Sequence, residues 1–291
     1  MRRWHALFGL VVLAVVASAC GKTTTVPPGT GGANRAADSL ILRMSTEGGF
    51  LPPDFRFRQI PEFTLTGDGR VFSLGAQIEI YPPPAMPPVL VRTVTAEAVA
   101  EIIKEAKAAG LDGPDKEYRY DLVADAGTTV FSFIDDDGAT HTISAYALGM
   151  EAQGGDPPPG QTADERAARA KLADLQKKLS DLSSWLPKGS VGEDKPAEPT
   201  KIRVFAGAYA TNAEEPQQTP KAWPLSTPLG TFGAPADDTY RCGVVEGADL
   251  DRLLPELKAS TTRTPWTSAG KQYELILRPL LPDESGCPAK S

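Results

Sequence analysis

The side chains that could do covalent, metal or proton-transfer chemistry at neutral pH are few. They are the three cysteines Cys20, Cys242 and Cys287, and His141, the one histidine outside the first 19 residues. A serine nucleophile on a strand-to-helix elbow would sit in G-x-S-x-G, and no such run occurs. Histidine is the usual general base near neutral pH. His141, however, lies mid-strand beside Phe131 and Phe133, the setting of a partly buried sheet residue. Two cysteines and one histidine lack the ligand spacing of a zinc site. Asp135-Asp136-Asp137-Gly138 invites a calcium reading. With Gly138 at the sixth position of an EF-hand loop, an acid is needed where Phe133 stands and a glutamate where Ser144 stands, so the reading fails. Gly21-Lys22-Thr23 resembles the end of a phosphate-binding loop but lacks the glycine five residues earlier, where Val16 stands. No catalytic residue, cofactor or metal site is expected. The remaining chemistry is that of Asp and Glu pairs, such as glycoside cleavage, whose geometry a sequence does not reveal.

The elements around Cys20 assign it a role. Arg2 and Arg3 precede an apolar run of 12 residues, Ala6 to Ala17, and small residues at 17–19 follow. That order is the layout of a secretory signal peptide, and the run is short of the roughly 20 residues a spanning helix needs. Val16-Ala17-Ser18-Ala19-Cys20 resembles the lipobox of bacterial lipoproteins, which implies cleavage before Cys20 and lipid on its thiol. The box usually carries Leu where Ala17 stands, and Ala17-Ser18-Ala19 also fits an ordinary cleavage site releasing a soluble product. Residues 20–38, rich in Gly, Pro and Thr, cannot bury enough surface to order themselves, which suits a flexible tether. Two or more acyl chains would anchor it stably, at about 0.8 kcal/mol per buried methylene.

Charge narrows the partners. The 30 basic side chains less Arg2 and Arg3 leave 28 against 37 acidic ones, a net charge of −9 after cleavage. Such a chain has no general attraction for phosphate backbones, so nucleic acid is not an expected partner. With Cys20 assigned to lipid, Cys242 and Cys287 are an even pair. Outside the membrane they should form a disulfide.

The pattern of apolar residues predicts an α+β protein: antiparallel sheets with packed helices, in two small modules joined by a linker. Residues 1–19 are the signal peptide, 20–38 the tether, 39–187 an N-terminal α+β domain, 188–200 the linker and 201–288 a C-terminal α+β domain. Strands are expected at 39–45, 63–66, 70–74, 77–81, 128–134 and 139–146. Asp68-Gly69 should form a two-residue turn that places Phe63 and Leu65 on one face with Phe72 and Leu74. Gly138 should close a three-residue turn that sets Phe131 and Phe133 beside His141 and Ile143. Helices are expected at 95–109, with Thr95 as N-cap and Gly110 just past the end, and after Thr162, which makes a capping box with Glu165. Leu172, Leu175, Leu179, Leu182 and Leu186 then form a stripe that packs on the sheet. The second module should hold strands near 201–206, 240–245 and 272–277, and a helix near 250–259 that Pro255 kinks or shortens. Trp223 and Phe232 should pack within the long 210–238 stretch.

PEFTLTGDGRV (61–71), TAEAVAEIIKEAKAAGL (95–111), TTVFSFIDDDGATHTISAY (128–146) and a helix ending SSW (183–185) carry a resemblance. Residues 39–187 resemble an exported bacterial domain family of unknown function. The whole chain is similar to uncharacterised actinobacterial-type exported lipoproteins. That group carries cysteines in the first loop, where this chain has GGFLPPDF.

These features predict a lipid-anchored envelope protein on the extracytoplasmic side of the cell membrane, monomeric and without cofactor or catalytic residue. It would act as a non-enzymatic module that binds an envelope protein or wall polymer through loops 50–62, 82–88 and 211–236. The alternative is an envelope-acting hydrolase using Asp or Glu carboxylates, which calls for a cleft with two carboxyl groups, one of raised pKa.

Overall fold

The computed structural model describes residues 35–51, 55–153, 158–211 and 218–288. The expected signal segment, Cys20 and residues 21–34 of the tether lie outside them.

The chain is α+β, with two antiparallel-rich mixed sheets. In the first module β1 (Leu40–Gly48) is followed by a four-residue helix α1 (Phe55–Arg58), then β2 (Phe63–Thr66), β3 (Arg70–Leu74) and β4 (Val89–Thr93). Helix α2 (Ala96–Ala108), β5 (Lys116–Tyr118), β6 (Gly127–Ile134), β7 (Thr140–Tyr146) and α3 (Ala163–Ser180) come next, and β8 (Lys195–Pro196) completes the sheet in the order β5-β7-β6-β1-β2-β3-β4-β8. In the second module β9 (Lys201–Ala208), β10 (Lys221–Ala222), β11 (Ala234–Pro235), β12 (Tyr240–Glu246), helix α4 (Gly247–Lys258), β13 (Trp266–Ser268) and β14 (Lys271–Pro279) form the order β10-β13-β14-β9-β12-β11.

Helices α2 and α3 bury their apolar stripes against the first sheet. Thr95 Oγ1 accepts from the Ala98 N–H and caps α2, whose Ala98, Val99, Ile102 and Ala106 enter the core. Gly110 takes a φ of +90°, and the Leu111 N–H returns to the Ala106 carbonyl. Thr162 and Glu165 make the reciprocal capping box of α3, and Leu172, Leu175 and Leu179 pack with Phe131, Phe133 and Ile143 of the sheet. The second core sets Leu250, Leu253 and Leu257 of α4 against Ile202 and Val204 of β9 and Leu275 and Leu277 of β14. Pro255 is accommodated inside α4, which starts earlier than expected. Trp223 and Phe232 pack as expected. They meet edge to face at 5.8 Å, with Trp266 at 6.0 Å from Trp223.

The β6–β7 hairpin keeps the expected register, pairing Phe133 with His141 and Phe131 with Ile143, with Gly138 at a φ of +84°. The β2–β3 hairpin does not. Thr64 faces Phe72 and Leu65 faces Val71, so the turn holds three residues, 67–69. Val71 therefore joins Phe63 and Leu65 in the core while Phe72 turns to the opposite face, against Ile60, Val89 and Leu281. Pattern could not settle this register because all four residues of β2 are buried, so its polarity does not distinguish the two faces. Asp68 holds the longer turn by accepting from Thr66 Oγ1 at 2.8 Å and Arg70 Nε at 2.6 Å.

Residues 188–200 are more than a bare linker. Val191 bridges to Val94, the Thr95 N–H donates to the Ser190 carbonyl, and β8 pairs with β4. The strand expected at 77–81 is absent, and those residues run without a ladder partner.

Candidate functional site

Two of the three loops expected to be binding surfaces, 50–62 and 82–88, first of all join the two modules; of the third, 211–236, residues 212–217 lie outside the described residues, and Trp223 and Phe232 pack in the second core. Helix α1 leaves the first module and lays Phe57 on Phe205 of β9, beside Cys242 and Ile276. Sheet alternation explains the match. Ile202, Val204 and Ala206 face α4, so Phe205 must face the other way and needs a cover. The return leg of the β3–β4 connection does the same elsewhere. Ala85 enters the second core, its N–H donating to the Ser260 carbonyl at 3.0 Å, while the Thr262 N–H donates to the Pro83 carbonyl at 2.9 Å. A polar cluster seals the seam: Arg43 with Asp283 at 2.8 Å, Arg278 with Glu284 at 2.6 and 2.7 Å, and Arg278 Nε with the Gln59 carbonyl at 2.6 Å.

What these loops leave outside is apolar. Phe50 is 93 % exposed, Ile78 61 %, Ile80 55 % and Tyr81 64 %, with Leu51, Phe55 and Leu74 partly bare. Leu51, Phe55, Ile60, Leu74, Gln77 and Pro83 line one cleft of about 300 Å³ whose walls are mostly apolar. Glu62 and Arg58 are its charged members. Scattered single apolar residues on a surface need no explanation, but a contiguous group marks an interaction site. A second cavity of about 450 Å³ lies between α1 and β12–β14 and is polar. There Tyr240 Oη donates to Glu274 Oε1 at 2.6 Å and Arg56 lies 3.5 Å from Asp237.

Cys242 and Cys287 are joined by a disulfide, with Cα atoms 6.0 Å apart. His141 is held at both ring nitrogens, Nδ1 by the Gly113 carbonyl at 2.7 Å and Nε2 by Asp135 Oδ2 at 3.0 Å. The Asp135 hydrogen bond first, then the Gly113 carbonyl, raises the imidazole above its ordinary pKa. The ring is thereby committed to tying the β6–β7 turn to the connection after α2. Asp135 also accepts from the Asp137 and Ala139 N–H groups, and Asp136 pairs with Lys107 and Arg35, so the acidic tip is taken up by turn and ion-pair contacts.

Asp283 and Glu284 are adjacent carboxylates with opposite shifts. Burial pushes Asp283 up despite Arg43. At Glu284 burial also acts upward, but the Arg278 hydrogen bonds and charge outweigh it and hold the carboxyl below its ordinary range. The pair faces arginines within the seam and lines neither of these two cavities. Raised pKa values also arise in structural ion-pair networks, and this cluster is one. Among the described residues no three His, Cys, Asp or Glu side chains converge to hold a metal, and no helix is long and apolar enough to cross a membrane.

The sequence reading missed two functional-looking features. One is the bare 77–81 segment, whose Ile78, Glu79, Ile80 alternation signalled a strand but not its lack of a partner. The other is Arg169, fully buried and bonded to Glu151 and to the carbonyls of Tyr118, Arg119, Tyr146 and Ala147. Its position three residues before Leu172, on the stripe of α3, was the available signal. No family model, curated protein or solved structure matches this chain.

Proposed function

We propose that this chain is a cell-envelope lipoprotein, cleaved before Cys20 and held by lipid on that residue to the extracytoplasmic face of the cell membrane. Its folded body is a non-enzymatic module that binds an envelope partner at the apolar cleft between α1 and the β3–β4 connection.

One observation supports this reading above the others: the apolar rim lies at the far end of the sheet from the chain's entry. Residues 36–39 enter the fold beside the β2–β3 turn, where the Gly67 N–H bonds the Ser39 carbonyl and a Cβ on Gly67 would fall 2.2 Å from the Ala36 carbonyl oxygen. From there β1 runs away for nine residues, about 30 Å at strand rise. β3 runs in the same sense as β1, since each is antiparallel to β2. Leu51 after β1, and Leu74 and Gln77 at and just after the end of β3, therefore meet toward that far end, where they line the same cleft. A body whose tether enters at one end keeps the apolar surface toward the other end clear of the attachment point.

Two measurements test the reading. Intact mass of protein taken from cells should show a chain beginning at Cys20 with added acyl mass; an unmodified Cys20 overturns the anchor. A photo-crosslinking residue placed in cells at Leu51 or Tyr81 should yield a discrete adduct, whereas one at exposed Asp137, in the β6–β7 turn beside the chain's entry at the opposite end of the sheet, should not. Equal adducts at Asp137, or none at the cleft, overturn the assigned surface.

A further inference from the structure

Building on the cleft reading, we infer that residues 77–81 are a docking edge. They take an extended segment of another protein as an added β-strand, with one of its apolar side chains seated in the adjoining cleft.

The two legs of the β3–β4 connection are treated differently by the fold. On the return leg Pro83 and Ala85 spend their main-chain groups on Ser260 and Thr262. On the outgoing leg the Gly75 N–H bonds the Pro88 carbonyl, and from Ala76 to Tyr81 the one main-chain hydrogen bond is from the Ile80 N–H to the Ile78 carbonyl. The N–H groups of Gln77, Ile78, Glu79 and Tyr81 have no partner among the described residues. Gln77-Ile78-Glu79-Ile80-Tyr81 is β-branched and aromatic, the composition that suits a strand. Its side chains are exposed too. A run that leaves both its backbone and its apolar side chains bare is a template for pairing. The usual guards against indiscriminate pairing are present and limited: a single charge, Glu79, and the prolines at 82–84 that stop the edge.

The occupant follows from this geometry. Four unpaired amide donors within five residues call for a polypeptide backbone, because main-chain bonds supply affinity in strand addition and side-chain sockets supply selectivity, and the incoming strand must open the tight Ile80-to-Ile78 turn and replace its bond. The socket is at hand, since Gln77 and Leu74 line the cleft together with Leu51 and Phe55. A second copy of the chain fits poorly. Antiparallel pairing centred on the segment, and parallel pairing in register, both place Glu79 opposite Glu79, and like charges directly opposite destabilise a sheet. The cleft itself carries one charge of each sign, Glu62 and Arg58, so Glu79 sets the preference: a segment that carries Lys or Arg opposite Glu79 and apolar residues at alternate positions.

The test uses an array of synthetic hexapeptides that alternate Val, Ile or Leu with Lys or Thr. Each is matched to a copy N-methylated at alternate amides, which removes strand pairing and keeps the side chains. The full chain should bind lysine-bearing members. Hydrogen exchange at 77–81 should slow at least ten-fold on binding, and the N-methylated copies should lose at least ten-fold in affinity. Glu79→Lys, an exposed change that leaves the fold alone, should move the preference to glutamate-bearing peptides. Failure of all unmodified peptides, equal binding of the N-methylated copies, protection elsewhere than 77–81, or dimerisation through this segment each overturns strand addition. The crosslinks at Leu51 and Tyr81 separate the two readings. If they form while the 77–81 amides stay unprotected in the crosslinked complex, the cleft reading stands and strand addition falls. If they do not form, the cleft reading falls.

Discussion

Phe57 and Phe205 stack with ring centroids 4.2 Å apart and planes inclined by 31°, the first from helix α1 of one module and the second from the central strand of the other. Both rings are buried. This contact, with Ala85 in the second core and the Arg43–Asp283 pair, makes the modules share buried surface. Phe57→Ala should destabilise the protein by about 3–5 kcal/mol, the range for truncating a buried aromatic. It should also separate the unfolding of the two modules. Fluorescence of Trp185, in the first core, and of Trp223 and Trp266, in the second, reads the halves apart when one set is replaced by Phe. The parent should give coincident urea transitions and the variant displaced ones. Transitions that remain coincident and unshifted would mean that the stacking does not couple the modules.

The Cys242–Cys287 bond closes a separation of 45 residues and ties the tail to the buried strand β12. Asp283 and Glu284 lie on that tail, so the bond also keeps their carboxylates over Arg43 and Arg278. In the chain-entropy model a loop of this size contributes roughly 3–4 kcal/mol. Replacing both cysteines by serine should lower stability by that order. Arg43→Ala in the cysteine-free background should then cost less than it does in the parent, because the tail is no longer held in place. Equal costs in the two backgrounds would show that the tail docks without the bond.

Elements set by local chemistry were legible in the sequence. Thr95, Thr162 with Glu165, and Gly110 announce helix ends because their bonds reach only three or four residues, and the α2 and α3 stripes then follow from periodicity. Gly138 fixed the β6–β7 register because the correct turn, and only that turn, buries Phe131 and Phe133 with Ile143. Where both faces of a strand are buried, as in β2, that argument loses its force, and the side taken by Phe72 does not follow from the pattern. The candidate site was legible only as a set of loops. That α1 would cap Phe205, and that Ala85 would cross into the second core, depends on contacts more than 100 residues apart in sequence. No local pattern encodes those. The bare edge at 77–81 is what remains after such contacts are made, so it emerges only with the tertiary structure.

The ring of His141 adds a pH dependence whose sign is fixed. Its folded pKa is raised by Asp135 and by the Gly113 carbonyl, so its stabilisation is fully present below the unfolded value of about 6.5 and is lost as pH rises through the folded value. The Asp135 carboxyl is lowered, by His141 first and then by the Ala139 amide. That contribution is present above about 3.9 and is lost as pH falls through the folded value. The advantage of the parent over His141→Gln should therefore be greatest between about pH 4 and 6.5 and should shrink above that window. Denaturation midpoints of the two proteins at pH 5.5 and 8.5 measure it. A gap that widens at the higher pH would mean that the neutral imidazole is the form the fold prefers.

Arg169 carries the most demanding polar site in the first module. It is fully buried on α3, its guanidinium lies 5.0 Å from the Tyr120 ring centroid, and it donates to Glu151 and to four main-chain carbonyls at the ends of β5 and β7. Those strands pair in parallel at the sheet edge, and beyond Tyr118 and Tyr146 the chain leaves the ladder, so the carbonyls there have no strand to answer them. The arginine fork meets several at once, which a lysine, a point charge on a flexible stem, cannot do. Removing one partner of a buried charged cluster leaves the others desolvated and unpaired, at a cost of about 3–5 kcal/mol. Arg169→Leu should lower stability by that amount although leucine suits the stripe it joins. Arg169→Lys should recover part of the loss, and Glu151→Gln, which keeps an acceptor, should cost the least. Urea midpoints rank the three. If the leucine variant matched the parent, the carbonyls would be satisfied without the guanidinium, and the residue's place on the apolar face would be one of packing alone.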